Sequence, residues 1–201
     1  LSVGKYLSIN KKRINAIYSY EDCALNSFKI ASKIHIKTIY DLTSPYWLFK
    51  KKILKEEVNL HPDWSLSTTE TLSEDKCKNK DEEIVLSDQI IVASSFTAKS
   101  LELFEQNIKS KINIVPYGIT CPIKKVINKR HKNDKLKIIF AGRPTLSKGI
   151  QYLIQILDQL DLPWELEIVG SIPEKPCQIS KKLDLFLKDP RCKFLGQIQN
   201  K

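Results

Sequence analysis

The feature that most constrains this chain is an alternation of short apolar runs with longer amphipathic ones. Apolar runs occur at 16–20 (AIYSY), 38–42 (TIYDL), 89–93 (QIIVA), 112–115 (INIV), 136–141 (LKIIFA), 165–169 (ELEIV) and 192–195 (CKFL). Between them lie segments with one apolar face, such as 148–160, with apolar residues at 150, 153, 154, 157 and 160. The short runs have the length of strands and the longer ones the 3.6-residue period of helices. Helices are predicted over 24–34, 46–60, 78–87, 96–107, 148–160 and 179–187. Strands that are apolar throughout, alternating with helices, predict α/β architecture with parallel sheets covered on both faces. The alternation is interrupted at 120–135 (TCPIKKVINKRHKNDK), where proline and clustered charge replace apolar periodicity. That break predicts two Rossmann-like units, 1–118 and 136–201, joined by a linker over 119–135. Such a pair of units binds ligands in the cleft between them, beyond the C-terminal ends of the strands.

Composition removes other classes. No run of 18 apolar residues exists to form a membrane-spanning helix. Five cysteines, widely spaced and without CxxC, suit reduced thiols and neither a disulfide framework nor a zinc site. Residues 1–118 hold 17 Lys+Arg against 15 Asp+Glu, and residues 119–201 hold 16 against 8. The second part therefore carries most of the net charge of +10. Nucleic acid, an anionic membrane surface or a phosphorylated ligand could all exploit it. With 29 Lys, only 4 Arg and few aromatics in the basic part, nucleic acid is the least favoured. The chain has no Met, begins Leu1-Ser2-Val3-Gly4 without a signal-peptide pattern, and has 6 Gly where ordinary usage gives roughly 14. A fragment that lacks glycine-rich loops is the expectation these counts raise.

The candidate chemistry lies just after the strands. Gly142-Arg143-Pro144-Thr145-Leu146-Ser147-Lys148-Gly149 joins a strand to a helix. A helix N-terminus offers free amides, Arg143 can grip two oxygens and Lys148 adds a point charge, which together suit a diphosphate. A glycine turn with two solvated cations is the competing structural reading. GxxxxGK[ST], GxGxxG and GxSxG are all absent. Asp41 could accept a hydrogen bond from a substrate hydroxyl or act as a base; it could equally cap a turn. Tyr46 and Trp47 could stack on a sugar or anchor a helix. Glu21 and Asp22 suggest acid/base or metal chemistry, or an acidic helix start. Ser94 or Ser95 can cap the helix that follows. His35, His61 and His131 share no ligand spacing.

Taken in order, VASSFTAKSL (92–101), INIVPYG (112–118), FAGRPTLSKGI (140–150), LEIVG (166–170) and FLG (194–196) resemble the retaining glycosyltransferases of family four (glycosyltransferase group 1), whose fold is GT-B. YDLTSPYW (40–47), EEVNLHPDW (56–64) and KNKDEEIVLSDQIIVASSFT (78–97) resemble bacterial members. The resemblance implies sugar transfer, with retention, from a nucleotide-sugar donor to a glycan or lipid-linked acceptor, as in cell-envelope polysaccharide assembly. It places the donor diphosphate on Gly142, Arg143 and Lys148 without a metal or other cofactor, puts Asp41 in a catalytic slot and puts Tyr40 in the cleft; Ser95, by its position after a strand, is expected to face the cleft as well. It implies a cytoplasmic protein, peripheral at the inner membrane face. It makes 1–118 the acceptor-side unit and 136–201 the nucleotide-sugar unit, both incomplete. The family's glycine loop is expected before Ala16 and its paired glutamates after Gly196, so this chain by itself is expected to be inactive. Two other readings stand: a non-catalytic GT-B relative that binds, and a basic nucleic-acid-binding α/β protein.

Overall fold

In the computed structural model, the described residues are 2–67, 72–104, 106–118, 134–171 and 181–198. The chain divides into two compact units, one of Leu1–Lys52 with Leu72–Cys121, the other of Ile53–Thr71 with Pro122–Lys201. The expected linker lies almost wholly outside the described residues. The compact division differs from the sequence-based one: 53–71 group with the second unit, and the boundary falls between Cys121 and Pro122 with no separate linker.

The first unit opens with a helix that the strand–helix alternation does not announce, α1 (Val3–Asn10), started by Ser2, whose Oγ accepts from the Lys5 amide. There follow β1 (Ala16–Tyr20), α2 (Leu25–Lys33), β2 (Lys37–Leu42), α3 (Trp47–Leu60, which belongs to the second unit from Ile53 on), α4 (Glu74–Val85), β3 (Gln89–Val92), α5 (Ser95–Ser100) and β4 (Ile112–Ile114). The strands form one parallel sheet in the order β1-β2-β3-β4. The second unit contains β5 (Leu136–Ala141), α6 (Ile150–Gln159), β6 (Trp164–Val169), α7 (Lys181–Leu187) and β7 (Cys192–Gly196), with a parallel sheet β5-β6-β7. Parallel neighbours need a crossover, and the amphipathic segments supply it.

Burial corrects the expectation that both sheet faces are covered. It alternates along the strands: Thr38, Tyr40 and Leu42 are buried, whereas Lys37, Ile39 and Asp41 are not. In β6, Trp164, Leu166 and Ile168 are buried, while on the neighbouring β5 Ile139 is 65% exposed. Among the described residues each sheet therefore packs one face onto helices. In the first unit the core joins Phe28, Tyr40, Leu42, Ile84, Ile90 and Val92. In the second, Ile150, Ile154 and Leu157 of α6 pack on Trp164, Leu166 and Ile168. Trp64, in a 3-10 turn after α3, is 3% exposed within that second core, and Val58 packs against it. This packing is why 53–71 belong to the second unit.

The helix predicted over 96–107 is shorter than its periodicity suggests. Ser94 caps α5 through its Oγ, but the α-helix ends at Ser100 and continues as a 3-10 turn over Leu101–Leu103. Ser100 is fully buried, donates to the Thr97 carbonyl and accepts the Tyr46 amide. A serine bonded back into its own helix bends it.

A buried carboxylate organises the first unit. The residue at the start of α2, Ala24, has no side chain that can cap. Glu83 of α4, 2% exposed, fills that role: its carboxylate accepts from the amides of Asp22, Ala24 and Leu25 and from the Tyr40 hydroxyl. Glu83→Ala leaves those donors buried without a partner. It is expected to destabilise the chain by about 3 kcal/mol in urea unfolding, with faster amide exchange concentrated in α2.

Candidate functional site

In the second unit β5 and β6 are each followed by a glycine with positive φ, Gly142 (140°) and Gly170 (149°), and β7 ends in one, Gly196 (70°). The Gly142 amide donates to the Val169 carbonyl, and the Gly170 amide to that of Gly196. A β-carbon on Gly170 would lie 2.2 Å from the Gly142 carbonyl oxygen and 2.6 Å from its carbon. Glycine at 170 thus lets the β5 exit pass against β6, and with it the turn that carries Arg143. Gly170→Ala is expected to destabilise the second unit and to shift the amide resonances of Gly142 and Arg143; resonances left in place would remove this constraint.

The turn itself is pinned from below. Leu146 is 2% exposed in the core, and Pro144 is also buried. Thr145 and Ser147 share a hydroxyl–hydroxyl hydrogen bond of 3.0 Å. The helix predicted from Lys148 begins two residues later. Lys148 belongs to a 3-10 turn (Leu146–Lys148), and Gly149 (φ 72°) reverses the backbone before α6. Gly149 has no side chain with which to cap α6; its carbonyl accepts from the Tyr152 and Leu153 amides, and Ile150 and Gln151 are buried. Arg143 and Lys148 are both exposed, and among the described residues neither is paired with a carboxylate. Two exposed cations thus lie on one turn, and their charge can attract an anion.

Behind the turn, Gln151 is 1% exposed and donates to the Leu146 carbonyl (3.3 Å) and to Glu57 Oε2 (3.1 Å). The Tyr152 hydroxyl also meets Glu57, at 2.8 and 2.9 Å from its two oxygens. That bond holds the Tyr152 phenol above its ordinary pKa.

In the first unit, Asp41 lies at the C-terminal end of β2 and is half-buried. Its Oδ2 accepts from the Tyr18 hydroxyl. This hydrogen bond, with desolvation and the Asp41 charge, pushes the Tyr18 phenol up to about 12. Tyr40 does not face a cleft. It is fully buried, its ring edge-on to Phe28 and its hydroxyl on Glu83. The alternation of a strand explains this: Tyr40 and Asp41 are neighbours and point to opposite faces. Ser95 is exposed at the first residue of α5, on the rim of a cavity of about 740 Å³ that includes Lys99, Phe104, Ile112 and Ile114. Tyr46 and Trp47 are anchors: the Tyr46 hydroxyl and the Trp47 indole both donate to Asp81.

Glu21 and Asp22 belong to an ion-pair network. Lys80 Nζ, in a side chain 7% exposed, lies 2.6 Å from Glu21 and 2.8 Å from Asp22, and Lys76 lies 3.3 Å from Asp22. Among the described residues, no three His, Cys, Asp or Glu are grouped to hold a metal ion. Burial works to raise Asp22, but its bonds to Lys80 and Lys76 outweigh it and hold the pKa below the ordinary value. Burial works to lower Lys80, and Asp22 and Glu21 outweigh that and raise it. A carboxylate with a depressed folded pKa gives stability that is present above its unfolded pKa and is lost as pH falls through the folded value. Protection of the β1–α2 loop amides is therefore expected to fall on acidification through the carboxylate range, and Lys80→Met should shrink that acid limb.

Sequence alone assigns no role to Glu83, Lys80, Glu57 or Gln151, although the first three lie within segments that carry the family resemblance. For α4 a signal is present: Lys80, Glu83 and Ile84 fall on one helical face by their spacing, and that face is buried.

No protein-family model and no curated protein matches the chain. Solved structures do. The apo form of the lipopolysaccharide outer core galactosyltransferase WaaB aligns with 98% of this chain and 48% of its own, at 17% identity and a TM-score of 0.58. Anabaena HepE in complex with UDP and glucose aligns with 98% of this chain and 51% of its own, at 14% identity and a TM-score of 0.60. The fold is GT-B. The chain spans about half the length of these structures. No helix among the described residues is long and apolar enough to cross a membrane.

Proposed function

We propose that this chain is part of a glycosyltransferase that uses a nucleotide-sugar donor, and that the turn 142–149 holds the donor diphosphate. The observation that carries this reading is the turn itself: Arg143 and Lys148, unpaired among the described residues, flank an uncapped start of α6 at the end of β5. As a glycosyl–phosphate bond breaks, negative charge grows on the departing diphosphate. Fixed cations stabilise that charge without reorganising. In this reading no metal is needed, and the unit around β5–β7 is the donor side. The GT-B fold shared with HepE, solved with UDP and glucose, supports it.

The finer reading follows the resemblance: transfer with retention, to a glycan or lipid-linked acceptor, in bacterial cell-envelope polysaccharide assembly, on the cytoplasmic side of the membrane. Asp41 is assigned to the acceptor side; the Tyr18 hydroxyl donates to its Oδ2 and fixes the carboxylate there. Ser95, exposed at the start of α5, remains a candidate contact on the same side.

Calorimetry with UDP and GDP tests the donor assignment. Arg143→Ala and Lys148→Ala should each weaken binding by about 1.5–3 kcal/mol, the range for losing a charged contact. Affinity for both nucleotides unchanged in both variants would refute it.

A further inference from the structure

We propose that Glu57 is a positioning residue for the turn that precedes α6: through Gln151 and Tyr152 it sets the geometry of 145–149. The link to ligand binding rests on the diphosphate reading above; the positioning itself does not.

A primary amide has two N–H donors and one carbonyl. In Gln151 the donors go to two acceptors, Glu57 Oε2 and the Leu146 carbonyl. The carbonyl, Oε1, is buried with no partner among the described residues. An amide that leaves its own oxygen unbonded is being held in that orientation, since an unmet buried acceptor costs free energy. Glu57 is what holds it. The flipped amide would set Oε1 against a carboxylate, oxygen to oxygen, and would release the Leu146 carbonyl. Tyr152 fixes Glu57 in turn by donating to its carboxylate, and His61 closes the group, its ring edge-on to Tyr152 and Nε2 4.0 Å from Glu57 Oε2. The chain of contacts ends inside the turn: Leu146 offers its carbonyl to Gln151 and also to the Gly149 amide, while the Lys148 amide donates to Thr145. Lys148 and the left-handed Gly149 are therefore placed by a side chain from α3, 91 positions before Lys148 in sequence. Glu57 faces no ligand in this role.

The test uses the 201-residue chain. Amide exchange at Lys148 and Gly149 reads the turn directly, and UDP calorimetry reads its consequence. Glu57→Gln keeps the size of the side chain but removes the charge that orders the amide. Gln151→Met keeps the bulk and removes both hydrogen bonds. Tyr152→Phe removes one exposed hydroxyl and leaves the core intact. The expected result is faster exchange at both amides and UDP binding weaker by about tenfold in Glu57→Gln and Gln151→Met, a smaller effect in Tyr152→Phe, and recovery in Glu57→Asp. Ile154→Val, which loosens α6 packing without touching the cluster, should leave UDP affinity unchanged. Wild-type exchange rates in Glu57→Gln, Gln151→Met and Tyr152→Phe overturn the proposal whatever UDP does. Faster exchange with unchanged UDP affinity, while Arg143→Ala loses it, overturns the link to binding. If the wild-type chain does not bind UDP, or Arg143→Ala binds it equally well, the diphosphate reading fails instead, and the exchange rates alone decide the positioning.

Discussion

Every described strand pairs in parallel with its neighbour, and that constraint governs what the rest of the structure can do. Parallel strands all leave the sheet at the same edge, so the loops after them share one rim. Asp41, Ser95, Arg143 and Lys148 all lie just after or at the ends of strands for this reason. The same geometry crowds the backbone at that rim. In the second unit the crowding is resolved by glycine at the end of each strand, and at 170 no larger residue fits without moving the Gly142 carbonyl.

A second device recurs in both units. Each has a helix whose N-terminus has no cap of its own, and each recruits a glutamate from another helix. Glu83 binds the α2 amides directly and ties them to Tyr40. Glu57 acts one step removed, through the amide of Gln151 at the start of α6. The difference matters electrostatically. Glu83 occupies the α2 amides and so closes that helix start to other anions. Glu57 meets the side chains of Gln151 and Tyr152 instead, beside the turn that carries Lys148. The two sheets thus have unlike rims: one carries the bonded network of Glu83, Lys80, Glu21 and Asp22, the other Arg143 and Lys148, unpaired among the described residues.

The fold was largely legible because strand and helix periods are local. The runs at 38–42, 136–141 and 165–169 correspond to β2, β5 and β6 within a residue or two. The turn carrying Gly142, Arg143 and Lys148 was legible as a strand-to-helix connection because it is contiguous in sequence. Tyr40 was misplaced because its position after a strand suggested a rim residue, whereas the alternation along β2 turns it into the core. Glu83 and Glu57 were illegible as site-building residues because what they hold lies about 60 and 94 positions away. No local pattern encodes such a separation.

By itself, the sequence determined the alternation of strands and helices, the break that separates two sheets, and the basic turn after β5, since each depends on residues within a few positions of one another. Tertiary structure decided that 53–71 pack into the second core around Trp64, that Asp41 stays accessible while Tyr40 does not, and that Glu57 reaches the turn carrying Lys148. Those outcomes depend on which surfaces meet when apolar faces leave water, and burial acts between elements regardless of their distance along the chain.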